Sequence, residues 1–238
     1  MNEKMNLNEL RKELHIHSDP KQAQNLLRFF KTGKGQYGEN DKFLGIKVPN
    51  QRIIAKKFKQ IDLKSVEKLL QSKWHEERLT ALHILNLKYN SAGKAEQKNI
   101  FDLYFKNVKH INNWDLVDSS APYFVGHYLF DRNRGMLYKL VKSGNLWERR
   151  ISIMATYYFI RQGQFEETLK LARILLEDEH DLIQKAVGWM LREIGNRNMP
   201  AEEQFLKKNY HRMPRTMLRY AIEKFPDKKR KGYLYGNQ

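Results

Sequence analysis

Within "INNWDLVDSSAPYFVGHYL", residues 111–129, two carboxylates, Asp115 and Asp118, stand beside Trp114. Trp114 and Asp118 are four positions apart, so on a helix they share one face. An unpaired carboxylate turned into a core is costly. Asp118 therefore either meets a cation or points into a wet, functional cleft. Asp115 has a simpler reading. Asn113 is a good N-cap, and an acidic side chain in the first turn complements the helix dipole. That explanation needs no function, and it fits Asp118 less well because Asp118 lies a turn further in.

Cations and further aromatic rings come from two later segments. "GNLWERRISI" (144–153) reads as a helix start carrying Trp147, Arg149 and Arg150, and "QKAVGWMLRE" (184–193) sets Lys185 four positions before Trp189. A tryptophan at helical spacing is core more often than not, and an arginine here can simply brace neighbouring helices. An aromatic ring beside a cation on one face is also how proteins grip a sugar-phosphate backbone. Other chemistries are missing. "HIH" (15–17) has only Asp19 near it, so no metal site is expected. "GKGQYG" lacks the Gly-Lys-Ser/Thr ending of a phosphate-binding loop. The chain has no cysteine, which excludes disulfides, zinc–thiolate sites and thiol nucleophiles.

The elements that must position these residues are helices throughout. "VEKLLQSK", "LTALHILNLKY", "IFDLYFKNV", "ISIMATYYFI", "LKLARILL" and "AVGWMLREI" repeat apolar residues three and four apart, and no convincing strand pattern appears. Start signals recur at Asp19-Pro20, Val48-Pro49, Asp62, Asn113, Met199-Pro200 and Met213-Pro214. A weak internal repeat aligns "WHEERLTALHIL" with "LWERRISIMATY", setting Arg78 over Arg150 at 72 positions, with Trp114 midway. A period near 36 with two helices per unit predicts an all-α, HEAT-like helical-repeat α-solenoid. Equivalent positions, among them Trp114, Arg150 and Trp189, would then line one basic concave surface. We expect a single domain over residues 1–225, a long Gly-rich connection at 32–48, and a basic, flexible tail at 226–238.

The 238 residues carry 44 Lys+Arg against 27 Asp+Glu, a net charge of +17, which favours a polyanionic partner. No apolar run reaches the roughly 20 residues of a membrane span, and the charged start lacks a signal's apolar core. A cytoplasmic location is expected.

The chain resembles the AlkD-type DNA alkylation-repair glycosylases, which are built from HEAT-like repeats. The resemblance spans about residues 20–225 and rests on "FLGIKVPNQR", "NNWDLVDSSAPYFVG", "NLWERRISI", "QKAVGWMLRE" and "PRTMLRYAIEKF". It implies release of N3- and N7-alkylpurines from duplex DNA by a monomer that needs neither cofactor nor metal. It further implies that Asp118 is catalytic and that Trp114, Trp189 and Phe29 contact the sugar. Arg150 would meet backbone phosphate, and Lys185 accompanies it. Phe29 departs from the family's tyrosine, keeping the ring and losing a hydroxyl. A base alkylated on N3 or N7 is already cationic and leaves readily, so one carboxylate near the sugar suffices. Two other classes compete. A non-catalytic repeat protein for bent or branched DNA explains the charge, and a scaffold for an acidic protein explains charge and repeats but not the tryptophans beside Asp118.

Overall fold

The computed structural model describes residues 6–236, and these are helical, with one isolated bridge between Lys42 and Trp74. They form two compact units that meet in sequence between Ser120 and Ala121. The first unit holds α1 (Leu7–Ile16), α2 (Pro20–Phe29), α3 (Val48–Lys57), α4 (Leu63–Leu70), α5 (His75–Ser91), α6 (Lys94–Lys106) and α7 (Trp114–Asp118). The second opens with a wide π-helical turn, Ala121–Gly126, followed by α8 (His127–Phe130), α9 (Gly135–Leu140) and α10 (Leu146–Arg161). It continues through α11 (Glu166–Ile174), α12 (Asp181–Gly195), α13 (Met199–Asn209), α14 (Arg215–Ala221) and α15 (Asp227–Tyr235). No described helix is long and apolar enough to cross a membrane.

The start signals act as their chemistry demands. Asp19 caps α2 through the Lys21 and Gln22 amides ahead of Pro20, Asp62 caps α4 through Ser65, and Asn113 caps α7. In the first unit α5 is the centre, packed by α3, α4, α6 and α7, with Leu79, Leu82, Ile84 and Leu85 buried. Each fully buried aliphatic side chain contributes about 1.5–3 kcal/mol. In the second unit α12 packs against α10, α11, α13 and α14. Gly188 permits the approach of α14, since a β-carbon there would lie 2.4 Å from the Met217 carbonyl.

The repeat is visible in local bonding, but one residue out of the expected register. Arg78 donates to the Ser72 carbonyl (2.9 Å) and to Asp41 (2.6 Å). Its counterpart is Arg149, which donates to the Ser143 carbonyl (3.0 Å) and to Asp178 (2.7 Å). Arg150 lies one residue on, about 100° further round the helix. The segment expected to be a flexible tail also differs: residues 227–235 are helical, because Tyr233 is buried against Tyr210 and Phe225. Its cationic composition hides that single anchor.

Glu202 in α13 is 1% exposed, one of its oxygens lacks a partner, and its carboxyl packs against Gly195. Burial, reinforced by the charge of Glu203, raises its pKa from 4.5 to about 9. The folded state thus holds a proton that the unfolded chain releases above about pH 4.5, and stability is lost as pH rises through about 9. Glu202→Gln should therefore gain on the wild type as pH rises. Thermal melting at pH 5 and pH 8.5 should show the difference in Tm widening by about 5 °C or more.

Candidate functional site

Trp114 and Asp118 are the first and last residues of α7, and both are half-buried on one side of it. The helix ends at Asp118 for a covalent reason. Pro122, four residues on, has no N–H to offer the Asp118 carbonyl, and a proline ring crowds that carbonyl as well. The chain widens there into the π-helical turn, a form that recurs at functional sites. Ser119 and Ser120 fasten the end of α7 by hydrogen-bonding back to the Asp115 and Leu116 carbonyls. Asp118 also lies close enough to the buried Tyr104 for its charge to act there: burial, and then Asp118, push the Tyr104 phenol upward.

Trp114 is held by rings. Phe30 stacks on it at 5.3 Å, Phe43 stacks on Phe30 at 5.1 Å, and His75 stacks on Phe43 at 4.6 Å. Phe29 meets Trp114 edge-on at 5.8 Å and remains 62% exposed. The ring at position 29 is thus beside Trp114 and open to solvent, whereas Phe30 is its buried support.

Asp115 does not share Asp118's situation. One of its oxygens is 2.7 Å from Nε2 of His75, and the Nδ1 of that ring is 2.8 Å from Asp41. Asp41 takes a further bond from Arg78 (2.6 Å). Burial works to depress His75, but the charges and hydrogen bonds of Asp115 and Asp41 overcome it and raise the pKa to about 9. Burial likewise opposes ionisation of Asp41, and His75 and Arg78 prevail, lowering it to about 2.

These partners escaped the sequence reading because the bonds span 34 and 40 residues. A signal was present in "WHEER", which puts four polar residues at the start of an otherwise apolar helix. All four, His75 to Arg78, are buried and partnered. The Gly-rich connection at 32–48 is ordered by the same helix end. The Glu76 carboxylate accepts the amides of Leu44 (2.9 Å), Gly45 (2.8 Å) and Ile46 (3.2 Å). Gly45 has φ +83°, and a β-carbon there would meet the Asp19 carbonyl, so only glycine fits.

The second unit carries the other expected residues. Arg150 is 5% exposed and donates to the Leu182 carbonyl in the first turn of α12, so here it braces two helices. Trp147 is core. Lys185 pairs with Asp181 at 2.8 Å across one partly exposed turn. Trp189 is half-buried, bonded through its indole N–H to Glu193 (3.2 Å), with the Tyr157 ring at 6.2 Å.

This all-helical chain, with Trp114 and Asp118 at the two ends of one short helix, matches the model of the family described as DNA alkylation repair enzyme, over residues 10–225. The chain belongs to that family. Its fold is similar to a "Predicted DNA alkylation repair enzyme from Enterococcus faecalis", with TM-score 0.70 and 16% identity over 89% of this chain and 98% of that one. AlkD2 from Streptococcus mutans is also similar, with TM-score 0.53 and 20% identity over 93% and 97%. No curated protein matches the chain.

The Glu76 anchor gives a direct test of the connection. Glu76→Gln would remove a charge that accepts three amides and leave at least one unsatisfied, costing about 2–4 kcal/mol. Urea denaturation should report that loss, with faster amide exchange confined to Leu44–Ile46 and their neighbours.

Proposed function

We propose that this protein is a monofunctional DNA glycosylase that hydrolyses the N-glycosidic bond of cationic N3- and N7-alkylated purines in duplex DNA. The observation that carries the proposal is the pairing of Trp114 with Asp118 on one turn of α7, with the exposed Phe29 ring beside Trp114. Membership of a DNA alkylation repair family and a net charge of +17 supply the context.

In the proposed reaction the bond between C1′ and the base nitrogen breaks, and its electron pair stays with the base. The base leaves neutral, so no general acid is required. Positive charge passes to the deoxyribose, as in sugar hydrolysis. Asp118 stabilises that charge and orients the water that adds to C1′ and then loses a proton to solvent, leaving an abasic site. The faces of Trp114 and Trp189 add attraction for the cation. Asp115 takes no direct part, since it is committed to His75.

Lys185 and Arg150 are the proposed phosphate contacts. For Lys185 the change is small, because an exposed pair such as Lys185–Asp181 is worth at most about 0.5 kcal/mol. For Arg150 it is larger, since the guanidinium must trade its bond to Leu182.

Wild-type protein should release 7-methylguanine from methylated duplex DNA well above the spontaneous rate. Asp118→Asn should lower release about 100-fold or more, and Trp114→Ala about tenfold. Full activity in Asp118→Asn would refute the assignment. Salt-sensitive DNA binding with no base release by the wild type would favour the non-catalytic DNA-binding reading instead.

A further inference from the structure

His75 lies 2% exposed between two carboxylates, with Asp41 at 2.8 Å from Nδ1 and Asp115 at 2.7 Å from Nε2. Each ring nitrogen faces an acceptor that carries no proton when ionised. A neutral imidazole would turn a lone pair toward one of them, which is repulsive at that distance. The arrangement is satisfied only when both nitrogens carry hydrogen.

The two carboxylates belong to separate stretches of chain. Asp41 sits in the 32–48 connection, and Asp115 in the first turn of α7, next to Trp114. The ring itself lies in the same aromatic array as Trp114: Phe30 is 4.9 Å from His75 and 5.3 Å from Trp114. Among the described residues, the charged groups that act on the imidazole are Asp41 and Asp115. From the connection it faces Asp41 and the Phe43 ring, from α7 Asp115, and from the C-cap of α2 the Phe30 ring, while on its own helix Arg78 is spent on Asp41. Asn113, the α7 N-cap, also reaches Asp41, at 3.4 Å.

We propose that His75 is a positioning residue: its doubly protonated ring joins the 32–48 connection to α7 and thereby holds Trp114 and Asp118 in register for base release. The kinetic half of this statement rests on the glycosylase reading, and the structural half does not. When the ring loses its proton, one of the two links opens, and α7 is freed at the end that carries Trp114. The proposed phosphate contacts, Arg150 and Lys185, belong to α10 and α12 and are not members of the link. Release should therefore fall at alkaline pH while affinity for duplex holds. With His75 at about 9, the fall belongs near that pH.

The test uses the full chain and follows 7-methylguanine release under saturating methylated duplex from pH 6 to 10. Undamaged-duplex affinity and thermal melting are measured at each pH. Asp115→Asn removes one of the two charges that hold the proton, so the alkaline limb of the rate should move down by about one pH unit or more. Duplex affinity should stay within about twofold. A limb that does not move, or a loss of affinity in step with rate, would overturn the proposal.

If the wild type releases no base at any pH, the glycosylase reading fails, and the link is tested on the wild type by NMR. Both imidazole nitrogens of His75 should be protonated at pH 8. The Trp114 indole resonance should shift with the same midpoint as the ring. A neutral ring at pH 8, or an indole signal indifferent to the titration, would overturn the positioning role as well.

Discussion

Charge that has been taken out of water must be matched at short range, and the start of α5 is where this chain meets that requirement. His75, Glu76, Glu77 and Arg78 are all buried there in succession. Together they tie three parts of the first unit: His75 joins α7 to Asp41 of the connection, Glu76 holds the connection's backbone, Glu77 reaches Arg11 of α1, and Arg78 pairs with Asp41. Removing one member of such a group strands its partner, which is why buried pairs cost about 3–5 kcal/mol when broken singly. The benefit is geometric more than energetic. Hydrophobic contacts alone would let the connection and the short α7 settle in many ways, whereas directional bonds to fixed carboxylates select one.

That distinction explains how much could be read before the structure. Helix starts follow from local chemistry, so Asp19-Pro20, Asp62 and Asn113 announced their helices correctly. Trp114 and Asp118 were legible because four residues on a helix always share a face. The partnership of Asp41 with His75 was not, since nothing local in "GENDKF" points to a ring 34 residues away. The repeat offset shows the same limit. Matching arginines by identity favours Arg150, because "ERR" offers two, while bonding to the preceding serine carbonyl picks Arg149. The last helix was missed for the opposite reason: a run of lysines obscured the one buried tyrosine that anchors it.

Asp115 and Asp118 illustrate how one short helix gives like residues unlike work. Asp115 is consumed by the imidazole and by the amide of Leu116. Asp118 sits at the other end, half-buried, one turn from a tryptophan held by its own aromatic support. A positively charged surface gathers DNA without regard to sequence. Under the proposed function, discrimination then falls to a small negative locus, because a purine alkylated at N3 or N7 is itself positive.

Pro122 has a bearing on that locus beyond ending a helix. The carbonyls at the C-terminal end of a helix carry partial negative charge, because they lack amide partners within it. Pro122 has no amide to continue the α-helix past Asp118, so the negative end of α7 falls on the residue that carries the carboxylate. Main chain and side chain then bias the local potential in one direction. A substitution at position 122 that restored the amide would weaken that bias without touching any acidic residue.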